Sequence, residues 1–130
     1  TLNNVRIYEG DGREILEALP DQSLGRFFLL FPDPWPKARH HKRRFLQTGM
    51  LDQLFRVLRP GAELRFATDD KSYLPYALER LVAHPGFDWL AQSCADWKSR
   101  PADWPSTRYE IKAIKGPPAF LRFARRALAR

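Results

Sequence analysis

Apolar positions along this chain fall into short continuous runs and spaced stripes that alternate with one another. A β-prone run at residues 5–8 precedes Ile15, Leu16 and Leu19, which share one helical face, so the opening predicts a strand and then a helix over 13–19. Asp11 and Glu14 have capping-box spacing at the start of that helix, and Pro20-Asp21 stops it. Phe27, Phe28, Leu29, Leu30 and Phe31 form an unbroken apolar run, the pattern of a central parallel strand covered on both faces. Leu51, Leu54, Phe55 and Leu58 lie on one stripe of a helix expected to begin near Arg43 and end at Pro60-Gly61. Leu64, Phe66 and Thr68 alternate with Arg65 and Ala67 in a strand over 63–68. Asp69-Asp70 then cap a third helix with its buried stripe at Leu74, Leu78, Leu81 and Val82, closed by Pro85-Gly86. A strand at 87–92, a long loop at 93–106, a short turn or helix at 107–113 and a final strand at 119–124 complete the order.

Strands alternating with amphipathic helices predict an α/β domain with a mostly parallel sheet. Ligands of such sheets bind beyond the carboxyl ends of the strands, which directs attention to residues 9–12, 31–37 and 68–71. All three stretches contain aspartate. The 130 residues fit one domain, and 44% hydrophobic content can fill a core. A net charge of +7 changes the picture more, because it favours a polyanionic partner. The single cysteine, Cys94, can make neither an internal disulfide nor a multi-cysteine metal site, and fits a reducing cytoplasm. No apolar run reaches the roughly 18 residues of a membrane span, and residues 1–10 lack a signal-peptide core.

Candidate chemistry concentrates after the apolar run. Pro32, Pro34 and Pro36 clamp Asp33 and Trp35, restricting the backbone around a carboxylate at a strand exit. A rigid turn with a solvated Asp33 is the plainer account of the same residues. Lys37, Arg39, His40, His41, Lys42, Arg43 and Arg44 follow, five permanent cations and two histidines within eight residues. Cations gathered where a helix should begin oppose its dipole unless an anion such as phosphate offsets them, although such a run is often only a solvated face. The paired histidines have no third ligand at metal spacing, so no metal site is expected. Of Asp69 and Asp70, helix capping explains one and leaves the other surplus. Thr107, Arg108, Tyr109 and Glu110 follow a loop with Trp97, Pro101, Trp104 and Pro105, a mixture able to stack on and hydrogen-bond a base; Thr107 and Glu110 also have capping-box spacing. Nucleophile-elbow, P-loop and cysteine–histidine patterns are missing, as is a full Gly-x-Gly-x-x-Gly loop after a first strand.

The block from Phe31 through Pro32-Asp33-Pro34-Trp35-Pro36-Lys37-Ala38-Arg39-His40-His41-Lys42-Arg43-Arg44, with Ala67-Thr68-Asp69 and Thr107-Arg108-Tyr109-Glu110, resembles the bacterial tRNA (guanine-N7-)-methyltransferase family over nearly the whole chain. The first block is highly specific; the other two gain weight only beside it. The resemblance implies a class I S-adenosylmethionine-dependent methyltransferase fold, Rossmann-like, with an antiparallel C-terminal strand. It also implies that residues 1–130 are the C-terminal part of a single methyltransferase domain, starting at the family's third strand. The implied reaction is methyl transfer from S-adenosylmethionine to N7 of a tRNA guanine. By the same carry-over, Asp11 and Asp33 bind the donor and Asp33 is the catalytic acidic residue. Lys37, Asp69, Thr107, Arg108, Tyr109 and Glu110 bind substrate, and Arg39, His40, His41, Lys42, Arg43 and Arg44 contact RNA. Glu110-Ile111-Lys112-Ala113 departs from the family's Glu-x-Arg-Gly, keeping the charge of the guanidinium but not its fork. A chain without the first two strands is expected to be inactive alone and to self-associate or partly disorder over about its first 20 residues, because buried parallel edges are exposed. The intact protein is expected to be a monomer or homodimer. A non-catalytic RNA-binding module and a small-molecule methyltransferase are the rival readings; the second leaves the basic block without a purpose.

Overall fold

Parallel strands need long crossovers, and the apolar runs at 27–30 and 64–67 are separated by enough chain to supply one. In the computed structural model, which describes residues 1–112 and 116–130, four strands form one sheet in the order β1 (Leu24–Leu30), β2 (Leu58–Thr68), β4 (Ala119–Arg125) and β3 (Phe87–Trp89). β1 and β2 pair in parallel, while β4 runs antiparallel to both β2 and β3. Three strands thus share one direction and the C-terminal strand is inserted against them, the mixed sheet that was expected.

One sheet face packs on helices α2 (Thr48–Val57) and α3 (Tyr73–Ala83). Leu64, Phe66, Leu121 and Phe123 from the sheet meet Leu51, Leu54, Val57, Tyr73, Ala77 and Leu81 from the helices in one buried cluster. The opposite face is closed by the loop before residue 107. Trp104 stands edge-on to Phe28 and Phe120 at 5.6 and 5.2 Å, and buried Arg65 makes a two-pronged pair with Asp103 at 3.1 and 2.9 Å. Glu63 receives both Arg65 and Arg122, so the sheet's polar positions are satisfied across strands.

Several expected elements take a different form. Residues 5–8 form no strand: Ile7 is 93% exposed, and no sheet edge reaches the segment among the described residues, so its backbone lacks the partner a strand requires. Helix α1 (Gly12–Ala18) starts as expected with Asp11 accepting the Arg13 N–H, but Glu14 turns away to the Tyr8 hydroxyl and leaves the capping box half made. β1 lies at the sheet edge rather than its centre, with Phe28 partly exposed and an apolar cavity of about 470 Å3 between β1 and α1. The helix expected to begin near Arg43 starts only at Thr48 as α2; a 3-10 turn (Ala38–Arg43) precedes it, and Arg44 and Leu46 dip fully into the core between them. Pro60-Gly61 does not end α2. It lies inside β2, where register slips between Leu24–Leu58 and Arg26–Glu63 and Gly61 adopts a φ of 81°, a bulge that the missing proline N–H and glycine's freedom permit. The buried stripe of α3 runs through Tyr73, Ala77 and Leu81, leaving Val82 half exposed; Tyr73 sets this phase because its hydroxyl accepts the Leu46 N–H. β3 stops at Trp89, and the loop beyond it contains helix α4 (Ala95–Lys98).

Candidate functional site

The parallel pairing of β1 and β2 brings their carboxyl ends side by side, with Leu30 opposite Ala67. Phe31 continues the ladder by donating its N–H to Ala67 at 2.8 Å, then leaves it with a φ of 51°. Trp35 has a φ of 42° and donates its N–H to the Asp33 carboxylate at 3.3 Å. Two bulky residues in the left-handed region bracket an aspartate folded onto its own turn, a backbone cost of about 1–3 kcal/mol each that surrounding contacts must hold. Arg44 is one such contact. Its Nε donates to the Pro34 carbonyl at 2.6 Å and its Nη2 to Ser72 Oγ at 2.9 Å, while its guanidinium lies over the Tyr73 and Tyr76 rings.

Arg44 therefore corrects the expected RNA-contacting set: it is fully buried and fastens the proline loop to α3. The other basic residues remain at the surface. Lys37, Arg39, Lys42 and Arg43 are exposed, and Arg43 covers one side of the Trp35 ring at 5.0 Å while His40 meets it edge-on at 5.8 Å. His41 bonds the Pro36 carbonyl at 3.2 Å and packs edge-on to Tyr76, so the two histidines brace the loop as well as line its surface.

At the end of β2 the two aspartates divide their work. Asp70 accepts from the Ser72 and Tyr73 N–H groups at 2.9 Å and starts α3. Asp69 accepts instead from the Tyr109 hydroxyl at 3.4 Å, and the Tyr109 ring lies 4.8 Å from Phe31. Desolvation, then this hydrogen bond, holds the Tyr109 phenol above its ordinary range. Tyr109 is carried on helix α5 (Arg108–Lys112), capped by Thr107 Oγ1, which accepts the Glu110 N–H at 3.1 Å. Glu110 is held by Arg100 at 3.2 Å, and Arg100 also donates to the Trp104 carbonyl at 2.6 Å.

The structure thus joins three of the separated motifs: the Asp33 loop through Phe31, the Asp69 corner, and the Thr107–Glu110 turn. Arg108 is exposed beside them, and Lys112 closes α5 while Ala113 lies outside the described residues. Asp11 stands apart at the start of α1. Backbone and then side-chain hydrogen bonds from Arg13 hold its carboxyl below the usual range. Arg13 reaches on to the Arg43 carbonyl at 2.9 Å, linking that carboxylate to the basic segment. Trp104 is removed from the candidate stacking surfaces because it is buried under the sheet, whereas Trp97 keeps an exposed side. Sequence reasoning misses Arg100, since an arginine in a loop gives no local sign that it will meet a glutamate ten residues later. Among the described residues no group of three or more His, Cys, Asp or Glu is arranged to hold a metal ion.

Acidic and aromatic side chains thus stand at the parallel strand ends of an α/β sheet, with a basic arm beyond them. The fold is similar to that of a Thermus thermophilus protein titled a "putative DNA modification methylase", which superposes with a TM-score of 0.51 at 20% identity, over 92% of this chain and 52% of that one. Residues 1–120 match the family described as "Putative methyltransferase", and the chain belongs to that family. Its relatives include proteins named tRNA (guanine-N(7)-)-methyltransferase. That of Rhodospirillum rubrum is 50% identical over 98% of this chain and 51% of its own length. That of Paramagnetospirillum magneticum is 54% identical over 96% of this chain and 52% of its own length. The family resemblance read from the proline–aspartate block is borne out, and the chain spans about half the length of the curated relatives it matches.

Proposed function

We propose that this chain forms the guanine- and RNA-facing part of an enzyme that methylates N7 of a guanine in tRNA, with S-adenosylmethionine as donor. The observation that carries the reading is the convergence of Asp33, Asp69 and the Tyr109–Glu110 turn at adjacent strand ends, beside the outward cations Lys37, Arg39, Lys42 and Arg43. Guanine N7 already carries a lone pair, so the reaction needs in-line positioning and accommodation of positive charge on the purine more than it needs a base. The donor, when bound, supplies an electrophilic methyl on a sulfonium: the N7–carbon bond forms as the sulfur–carbon bond breaks, and that electron pair stays on sulfur.

The protein's own groups suit this task. Asp33 and Asp69 present carboxylate oxygens to the guanine edge, and Glu110, oriented by Arg100, adds a third. Each accepts hydrogen bonds from donor groups on the base and favours the cationic product. Asp11 is exposed and held anionic by Arg13, which fits an acceptor for hydroxyl groups of the donor. The cations beyond Trp35 would neutralise backbone phosphates and make tRNA affinity salt-dependent. Among the described residues no helix is long and apolar enough to cross a membrane, and a cytoplasmic setting suits the tRNA substrate. The unpaired edge of β1 among the described residues favours association of this chain by itself through that edge.

The test uses the full-length gene product. Asp33→Asn is expected to slow methyl transfer about 100-fold or more while tRNA affinity stays within about twofold. Joint neutralisation of Arg39, Lys42 and Arg43 is expected to weaken tRNA binding and flatten its salt dependence. An unchanged rate in the first variant, or unchanged affinity in the second, removes the corresponding half of the reading. Calorimetric absence of donor binding would favour the non-catalytic RNA-binding alternative.

A further inference from the structure

A cavity of about 320 Å3 opens beside Asp69, between the start of α3, helix α4 and the lead-in to β4. Its walls include Thr68, Asp69, Lys71, Trp97, Lys98 and Pro118, whereas Phe31, Asp33 and Tyr109 do not line it. That volume is at the lower end of small-ligand pockets and suits one planar ring system rather than an extended ligand.

Trp97 is held in place on α4. Asp96 accepts the Gln92 and Ser93 N–H groups at 2.8 and 3.1 Å, and the Trp97 and Lys98 N–H groups return to the Cys94 carbonyl. One part of the indole packs against the main core while another lines the cavity. Lys98 Nζ lies 5.5 Å from the indole centroid, and Lys71 lines the same cavity. Both lysines are exposed. A held aromatic ring bordering a cavity with two cations is an arrangement by which proteins stack a base and grip its phosphates.

We propose that this cavity receives the base of a nucleotide next to the target guanine, with Trp97 as its stacking surface and Lys71 and Lys98 at the adjoining phosphates. The inference rests on the function proposed above. A guanine drawn to the strand ends of a folded RNA cannot keep both of its stacking neighbours, and a replacement stack on Trp97 offsets the loss. Asp69 is the wall common to the two sites, so the neighbouring base and the target guanine would share one carboxylate.

The experiment measures tRNA affinity of the full-length gene product, independently of turnover. Trp97→Ala, Trp97→Phe and the double variant Lys71→Gln/Lys98→Gln are titrated with intact tRNA and with transcripts made abasic, one position at a time, around the methylated guanine. Trp97→Ala is expected to weaken intact tRNA about tenfold and Trp97→Phe only slightly. At one flanking position the abasic transcript should weaken wild-type binding to the same degree and cost Trp97→Ala nothing more. The lysine variant should reduce the salt slope of binding. Equal losses by wild type and Trp97→Ala at every abasic position, or an unchanged salt slope in the lysine variant, overturn the proposal. So does a Trp97→Ala effect confined to donor affinity, measured by calorimetry, which would place the donor in the cavity. Wild-type protein that binds tRNA but leaves guanine N7 unmethylated defeats the proposed function alone, because the binding comparison still reads the cavity.

Discussion

Neighbouring residues of the basic block have opposite fates. Arg43 and Arg44 are indistinguishable by charge and by position in the run, yet Arg43 covers Trp35 at the surface while Arg44 is buried beneath Pro34 and over two tyrosines. The burial of a guanidinium is tolerable here because a carbonyl, a hydroxyl and two aromatic faces replace much of its water. Arg44→Ala removes all of them at once and leaves a void, so a loss of about 3 kcal/mol in unfolding free energy is expected by urea denaturation. Arg39→Ala should change stability by less than about 0.5 kcal/mol. In tRNA binding the pair should reverse: Arg39→Ala lowers the salt slope, and Arg44→Gln, where it folds, leaves the slope unchanged.

Helix α5 has five residues, far too few to stand on its own hydrogen bonds. It is held by the Thr107 cap, the Phe31–Tyr109 contact and the Arg100–Glu110 pair. Arg100→Ala should therefore lower methyl transfer by the full-length gene product about tenfold or more through misplacement of Glu110, with donor affinity unchanged in calorimetry and Arg100→Lys recovering part of the rate. The turn before β3 offers a packing test. A Cβ at Gly86 would lie 2.3 Å from Cδ2 of the Phe55 ring, which is hemmed in by Arg125 over it at 3.9 Å and Phe87 edge-on at 6.3 Å. Gly86→Ala should cost about 1–3 kcal/mol by denaturant titration, unlike Gly49→Ala, where a Cβ meets open space.

Across the whole molecule, one sheet face is apolar and helix-covered while the other is held by charge. The Arg122 hydrogen bond, with Arg65, keeps the Glu63 carboxyl below its usual range, and the Arg65 hydrogen bond does the same for Asp103. Burial alone would lower the Arg65 guanidinium, but its bonds to Asp103 and Glu63 outweigh that and raise it. Carboxyls depressed in the folded state contribute stability above the unfolded values near 4, and that contribution is lost as pH falls through the lower folded values. The urea midpoint should thus be flat from about pH 8 to 5 and fall below about pH 4. Glu63→Gln should start lower at pH 7 and show a shallower acid limb.

Sequence by itself determined the α/β class, the four described strands after residue 20 and the acidic and basic residues at the strand ends. It did so because burial periodicity, proline and glycine punctuation and charge runs are local properties of a chain. The proline–aspartate block also carried the family resemblance before any contact was known. Tertiary structure alone decided that residues 5–8 pair with nothing described, that Pro60-Gly61 is a bulge and that Tyr73 sets the face of α3. It also decided that Arg44 and Trp104 point inward while Trp97 borders a cavity, and that Arg100 reaches Glu110. Each of these depends on which distant surface a side chain meets, and a residue's type and spacing do not specify its partner across the fold.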